Sequence, residues 1–245
     1  MNRLDLGILG QIHFNLETLL AFMSILVINL ILSGDNAVVI AMAVRTLPHK
    51  QRVKGIFWGA AAAVVLRIVL TFFVMKLLNI SFLKFIGGAV ILWIAIKLFI
   101  EGAGEEGVKQ EAKSITQAVW VILVADLTMS IDNVLAVAGA AKGNLFLLIV
   151  GLTISIFFVM FASNLLAMLM DKYPIIVYFG AAILGKVSGE MMIGDAFVER
   201  LLHPSKWLVY GVEAFFAIAV IVVGKLWLKW KNAKEEEKEK LVSHD

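Results

Sequence analysis

Apolar stretches of about 20 residues recur along the chain, at 18–44, 54–78, 82–101, 115–140, 145–169, 174–194 and 206–228. Charges or turn residues bound each one. In hydrocarbon such a run must satisfy its own backbone hydrogen bonds, and the two-residue alternation of a transmembrane barrel is missing. The pattern therefore predicts an all-α, polytopic membrane protein with seven transmembrane helices. The connections are short; 102–113 is Gly/Glu-rich, with Glu105, Glu106 and Glu111, and the last, 195–205, carries Asp195, Glu199, Arg200, His203 and Pro204. Beyond Trp230 the run K-N-A-K-E-E-E-K-E-K predicts a solvated tail, helical or disordered.

The second pattern is a repeat. Leu32-Ser33-Gly34-Asp35-Asn36-Ala37-Val38 returns as Met129-Ser130-Ile131-Asp132-Asn133-Val134-Leu135. Asn29 aligns with Asp126, Ser33 with Ser130 and, after a shorter loop, Gly59 with Gly151. Further on, Lys84 to Leu92 aligns with Val177 to Gly185. This predicts one membrane domain over 1–230, made of repeat one (15–101), repeat two (115–194) and an extra helix (206–228). A charged cytoplasmic tail follows at 231–245. With three spans per repeat the halves insert with opposite polarity, a 3+3 inverted repeat.

Composition agrees with the pattern. Hydrophobic residues make up 61% of the 245, charged residues 17%, and mean hydropathy is +0.92, which excludes an ordinary soluble domain. The net charge of +3 sits at the span flanks, where it reports orientation and implies no nucleic-acid partner. Twelve Lys and Arg fall on one side of the predicted spans against six on the other, which favours N-out/C-in. The first 15 residues show no cleavable signal-peptide pattern, so the first span serves as the targeting signal. Cysteine is absent, which removes disulfides and thiolate metal sites.

The chemistry lies in the repeated polar residues. An ionised carboxylate at bilayer depth costs roughly 2.5–3.5 kcal/mol on insertion scales, so it needs a partner that offsets the cost. Asn29, Ser33 and Asn36 share one helical face by their spacing, as do Asp126, Ser130 and Asn133. Asp35 and Asp132 sit about 100° further round. Gly34 permits local unwinding. Asp35, Asn36, Asp126, Asp132 and Asn133, with Asn29, Ser33 and Ser130 as accessories, form an all-oxygen donor set suited to Mn²⁺, Mg²⁺ or Ca²⁺. The four histidines lie in flanks, so zinc, copper and cadmium fit poorly. Met129 would add a thioether that favours Mn²⁺ over Mg²⁺, although such a Met more often fills a gap in packing.

Asp35, Asp126 and Asp132 together carry −3. A divalent cation leaves −1, which a proton or Arg67 would cancel. Arg67 has two readings: a group near the site that helps expel bound metal, or a structural ion pair, the latter preferred on general grounds. Glu190 and Glu213 would guard an exit, relay protons or pair with Lys186. By depth, the aspartates make either one central site or two tiers, and one site is the expectation. Gly55, Gly59 and Ala63, and likewise Ala181, Gly185 and Gly189, form small-residue stripes that predict helix-packing seams.

The two Asp-Asn segments, with G-G-A-V-I-L at 87–92 and V-Y-F-G-A-A-I-L-G-K at 177–186, resemble the TerC family of bacterial integral membrane proteins over about residues 15–228. The resemblance implies a fold akin to the LysE transporter superfamily and a multi-pass protein of the bacterial plasma (inner) membrane. It implies export of Mn²⁺, as transported substrate, from the cytoplasm and its supply to exported metalloenzymes, with other membrane or secretion proteins as partners. It also implies an older link to tellurium resistance. By the family pattern, Asp35, Asn36, Asp126, Asp132 and Asn133 match metal-binding positions. Many relatives have an acidic residue where this chain has Asn29. No ATP-binding motif is present, so export would draw on a gradient or a partner. Two rival readings are an intramembrane aspartyl hydrolase using paired Asp as acid and base, disfavoured by the absence of G-x-G-D, and a metal-sensing membrane scaffold without transport.

Overall fold

The computed structural model describes the backbone of residues 3–5, 11–13, 16–45, 47–77, 80, 82–103, 114–141 and 144–242. A small antiparallel hairpin, β1 (Arg3–Asp5) with β2 (Gln11–His13), pairs Leu4 with Ile12. The apolar-run pattern did not anticipate it, because three-residue strands leave no periodic signature. Everything else described in regular structure is helical: α1 (Leu16–Leu32), α2 (Gly34–Arg45), α3 (His49–Leu77), α4 (Leu83–Ala103), α5 (Ile115–Ala141), α6 (Leu145–Lys172), α7 (Ile175–Ile193), α8 (Ala196–Leu202) and α9 (Lys206–Val242).

Among the described residues five helices are long and apolar enough to cross a bilayer, namely α3, α4, α6, α7 and α9. The first apolar run is broken at Ser33 into α1 and α2, bent by 49°, and counts as a sixth if taken as one span. In α5 the apolar stretch is the shorter Ile115–Ser130. The break falls at Ser33-Gly34, where the sequence predicts unwinding, and Gly34 has open space around its Cα.

Helix ends follow local chemistry. The Asn144 side chain accepts from Leu147 N–H at 3.1 Å and caps α6. Asp195, buried, accepts from Phe197 N–H at 3.0 Å at the start of α8 and from Phe85 N–H at 3.2 Å at the start of α4. One carboxylate thus satisfies the otherwise unpaired donors of two helix N-termini, where negative charge is favoured. His203, left-handed at φ 40°, ends α8 just before Pro204. Helix α9 runs on to Val242, so most of the expected tail is helical.

Packing places α3 along α5, α1 and α2 along α6, α4 along α7, and α9 against α7 and α4. Backbones come close at the predicted seam of Ala181, Gly185 and Gly189, and also at Gly88, outside both stripes, where a Cβ would meet Ser188 O at 2.7 Å. A Cβ added to Gly185 would meet the Phe216 carbonyl of α9 at 2.5 Å, and one on Gly189 would meet Val212 O at 3.1 Å. Gly59 abuts Ile122 of α5, and Gly151 of α6 abuts Ile25 of α1. Between these pairs, α2 is buried from Asn36 to Val44 on every face, which is what an all-round apolar helix requires. Its N-terminus is half-buried: Gly34 is exposed, Asp35 partly buried and Asn36 buried.

Candidate functional site

The break at Ser33 sets the site. It brings the last turn of α1 (Asn29) and the first of α2 (Asp35, Asn36) beside α3 and α5. Arg67, in the middle of α3, reaches inward, where its guanidinium takes up four oxygens. Nη2 lies 2.5 Å from Asp126 Oδ1, Nη1 donates to Asn29 Oδ1 at 2.9 Å, and Nε donates to Ser130 Oγ at 3.1 Å. A longer contact runs from Nη1 to Ser33 Oγ at 3.5 Å. Ser130 in turn donates to Asp126 Oδ2 at 2.9 Å, and Asn29 Nδ2 bonds Ser155 of α6. The Arg67 and Asp126 side chains are only 6% and 5% exposed. A charge pair this deep holds only when its hydrogen bonds are also met, and here the surrounding hydroxyls and amide meet them.

Asn36 is the exception. It is 5% exposed, and neither amide atom has a hydrogen-bond partner. It borders two small cavities. One, of about 30 Å³, is also lined by Asn29, Ser33, Arg67, Asp126 and Ser155. The other, of about 10 Å³, lies between Asn36 and Ile122, Ala125 and Asp126. A cavity of about 10–15 Å³ or more holds one water-sized occupant.

Asp35 points elsewhere. It lines a cavity of about 330 Å³ together with Leu32, Lys84, Met129, Asn133 and Glu190. Asn133 donates to the Leu32 carbonyl at 3.3 Å, an oxygen at the α1–α2 break. Glu190 is exposed at the rim, held at 2.7 Å by Lys186, which also approaches Glu213 at 3.5 Å. The side chain of Asp132 lies outside the described residues, although its backbone is helical within α5. Glu105, Glu106 and Glu111 of the 102–113 connection lie outside them too.

The expected donors are thus divided. Asn29, Ser33, Asn36, Asp126 and Ser130 gather around Arg67, whereas Asp35, Met129, Asn133 and Glu190 face the larger cavity. Among the described residues no three of His, Cys, Asp and Glu come together as a metal cluster, in contrast to the single site expected from spacing. The physical reason is helix geometry: Asp35 lies about 100° round α2 from Asn36, and Asn133 lies about 10 Å along α5 from Asp126. Two contributors escaped the sequence reading. Ser155 lies one helical turn beyond Gly151 on the buried face of α6. Lys84 falls inside the 82–101 run, near the start of α4, and its pattern assigns it no role.

At the opposite end of the bundle the helices are tied together. Arg45 Nη1 donates to Gly102 O at 2.5 Å and Nε to Asp171 Oδ1 at 3.2 Å. Arg52 pairs with the same Asp171 and donates to the carbonyls of Arg45 at 2.8 Å and Leu47 at 3.1 Å. The ends of α2, α3, α4 and α6 meet there.

Broken apolar helices around a buried charged network, with a polar cavity at one end, define a multi-pass integral membrane protein. The model of the integral membrane protein TerC family matches residues 14–236, and the chain belongs to that family. It is 42% identical over 179 residues to the uncharacterized membrane protein YjbE of Bacillus subtilis, covering 73% of this chain and 82% of YjbE. It is 28% identical over 208 residues to the uncharacterized membrane protein YceF of the same organism, covering 81% of this chain and 79% of YceF. With the UPF0053 inner membrane protein YgdQ of Escherichia coli it shares 26% over 219 residues, covering 82% and 90%. No solved structure matches.

Proposed function

We propose that the protein is a secondary transporter that exports Mn²⁺ from the cytoplasm of a bacterial cell, with Asp35, Asn133 and Met129 holding the ion on the larger cavity's side and Asn36 and Asp126 on the other. Asp132 completes the set by the repeat. The observation that carries this reading is the position of Asp35. It opens the buried helix α2, inside a cavity shared with Asn133 and Met129. The carboxylate, amide and thioether on its wall are a hard-to-borderline donor set, suited to Mn²⁺ ahead of Mg²⁺ or Ca²⁺, with Lys84 and Glu190 in the same lining. The partner on this reading is the ion itself, with delivery to other membrane or secretion proteins downstream.

The two ends support alternating access. Arg45, Arg52 and Asp171 close one end, and Glu190 rims the cavity at the other. With the N-terminus outside, as the Lys and Arg distribution favours, the tied end is cytoplasmic. The polar cavity then faces out, through a membrane crossed seven times if α1–α2 and α5 each span it. Paired packing supports an inverted repeat: Gly59 lies on Ile122 and Gly151 on Ile25, and these two pairs exchange under the sequence alignment. A hydrolytic reading finds less support, because Asp35 and Asp126 line separate cavities and Asp126 is engaged by Arg67. A scaffold without transport is separated from an exporter by flux alone.

The test is cellular Mn after overexpression of the protein, of Asp35→Ala and of Asp132→Ala, with uptake of Mn²⁺, Mg²⁺ and Ca²⁺ into oriented vesicles. The expected result is lowered cellular Mn with the natural chain only. Equal metal content in all three strains would remove the reading.

A further inference from the structure

We propose that Arg67 is a tethered cation that competes with the transported ion for one oxygen site, occupying it between transport events. This rests on the exporter reading and assigns Arg67 a part in it. The guanidinium is surrounded by oxygens of the kinds that ligate hard cations: the Asp126 carboxylate, the Asn29 amide and the Ser130 and Ser33 hydroxyls. They come in equivalent pairs, Asn29 with Asp126 and Ser33 with Ser130, so the positive charge sits where the two repeats present matching groups. Without Arg67 the pocket would hold a buried carboxylate facing acceptors and hydroxyls, with no neutralising charge, a costly state in a low-dielectric interior.

A second observation points to a ligand that is not the guanidinium. Asn36 borders the same cavity, is 95% buried by its 5% exposure, and makes no hydrogen bond through either amide atom. Buried amides without partners are rare in folded proteins. Arg67 leaves Asn36 unserved because its three nitrogens are committed to Asp126, Asn29, Ser130 and Ser33. A cation at the Asn36–Asp126 side of the cavity would take the Asn36 carbonyl oxygen and Asp126 together. Such a cation would stand a few ångström from the guanidinium, which lies 2.5 Å from Asp126 Oδ1, and repulsion between the two charges in a low-dielectric interior sets them in competition for Asp126.

Charge balance agrees. The aspartates Asp35, Asp126 and Asp132 carry −3 when ionised, and Arg67 with one divalent ion carries +3. These groups balance as a set, so Arg67 can leave Asp126 to a divalent ion and stay inside the membrane without adding net charge among them. Release leaves Asp126 to be reclaimed by Arg67, which lowers the affinity of the emptied site and resists rebinding. Lysine in this place would supply the charge without the planar fork that serves Asp126, Asn29 and Ser130 at once.

The experiment measures equilibrium Mn²⁺ binding to the full chain in nanodiscs, comparing the natural protein, Arg67→Ala and Arg67→Gln, each checked for a monodisperse, cooperatively unfolding species. Arg67→Ala should bind Mn²⁺ tighter by about 5–150-fold, the usual range of coupling between two ligands. Millimolar guanidinium chloride should reverse that gain in Arg67→Ala while leaving the natural protein unaffected. Tetramethylammonium chloride at equal ionic strength should do nothing. A purely structural ion pair would instead leave Mn²⁺ affinity unchanged or weakened and insensitive to guanidinium, which overturns the proposal. If Arg67→Ala does not fold, Arg67→Gln, which keeps hydrogen-bonding groups but removes the charge, decides: tighter Mn²⁺ binding supports competition, and unchanged or weaker binding overturns it. Failure of the natural protein to bind or move any divalent ion refutes the exporter reading itself. Binding that depends on Asp35 but ignores Arg67 refutes only this inference.

Discussion

Two glycines occupy equivalent places in the repeats, yet their surroundings predict unequal responses to the same methyl group. A Cβ on Gly59 would overlap Cδ1 of Ile122, the far end of its side chain, while Cγ2 and Cβ stay at 3.4 and 3.5 Å. Turning χ2 of Ile122 clears the overlap for about 0.5–1.5 kcal/mol. The gain in helix propensity from Gly to Ala, about 1 kcal/mol, cancels it, so Gly59→Ala should be near neutral. A Cβ on Gly151 instead meets Cγ2 of Ile25 at 2.5 Å, with Ile25 Cβ at 3.3 Å. That methyl is fixed to a branched Cβ whose χ1 is stiff in a helix, so α6 and α1 must part or strain. Overpacking of this kind costs about 1–3 kcal/mol, and after the propensity gain Gly151→Ala should lose about 0–2 kcal/mol. Adding Ile25→Leu moves the branch one carbon outward and should recover most of the loss. The assay is reversible unfolding in mixed micelles, followed by the fluorescence of the six Trp residues. Gly59→Ala as damaging as Gly151→Ala, or no recovery with Ile25→Leu, would refute the reasoning.

The remaining predictions concern the charged and polar ties. Asp126→Asn alone should destabilise by about 3–5 kcal/mol, because it strands a buried guanidinium, and Arg67→Gln added to it should restore part of that; additive losses in a double-mutant cycle would contradict the pairing. Asn133→Leu removes the hydrogen bond to the Leu32 carbonyl and should cost about 1–3 kcal/mol, with faster amide hydrogen exchange confined to the residues flanking Ser33; uniform or absent acceleration would contradict a local role. Asp171→Asn releases Arg45 and Arg52, so a cysteine placed at buried Leu47, in a chain with no other, should react faster with a maleimide than in the Asp171 background. Equal rates would mean that this end is held shut by other contacts.

The sequence reads well where one residue's chemistry decides the outcome. The helical spans, the weak point at Ser33-Gly34 and the seams at Gly59 and Gly185 all follow from local pattern, because hydrocarbon allows a backbone few alternatives. Asn29, Ser33, Asp126 and Ser130 were legible as a group from their shared helical face. The partner of that group was harder to read. A lone Arg in an apolar helix signals a counter-ion, but Asp35, Asp126 and Asp132 each offer a carboxylate, and only the fold joins Arg67 to Asp126. The division of Asp35 from Asp126 follows the step of about 100° between Asp35 and Asn36 on α2, but which of the two faces Asp126 depends on how α2 is set after the 49° bend. Ser155 had no pattern of its own. The hairpin of β1 and β2 was too short to carry one.

The same bend gives the proposed transport reading its moving part. Asp35 is on the far side of the break, at the N-terminus of α2, where the helix dipole favours its negative charge. Asn29 and Ser33 are on the near side, fixed by Arg67 and Ser155. The α2 helix is tied at its other end by Arg45 to Gly102 and Asp171, and Asn133 holds the break by a single bond to Leu32. Straightening at Ser33 would have to release that bond and swing Asp35 relative to Asn29, and so relative to Arg67 and Asp126. One hinge would then do two things at once, carrying Asp35 between the larger cavity and the Arg67 network and loosening the Arg45 tie. Coupling of that sort requires that both changes share one element, and α2 carries Asp35 at its start and Arg45 at its end, with Asn36 to Val44 buried between them.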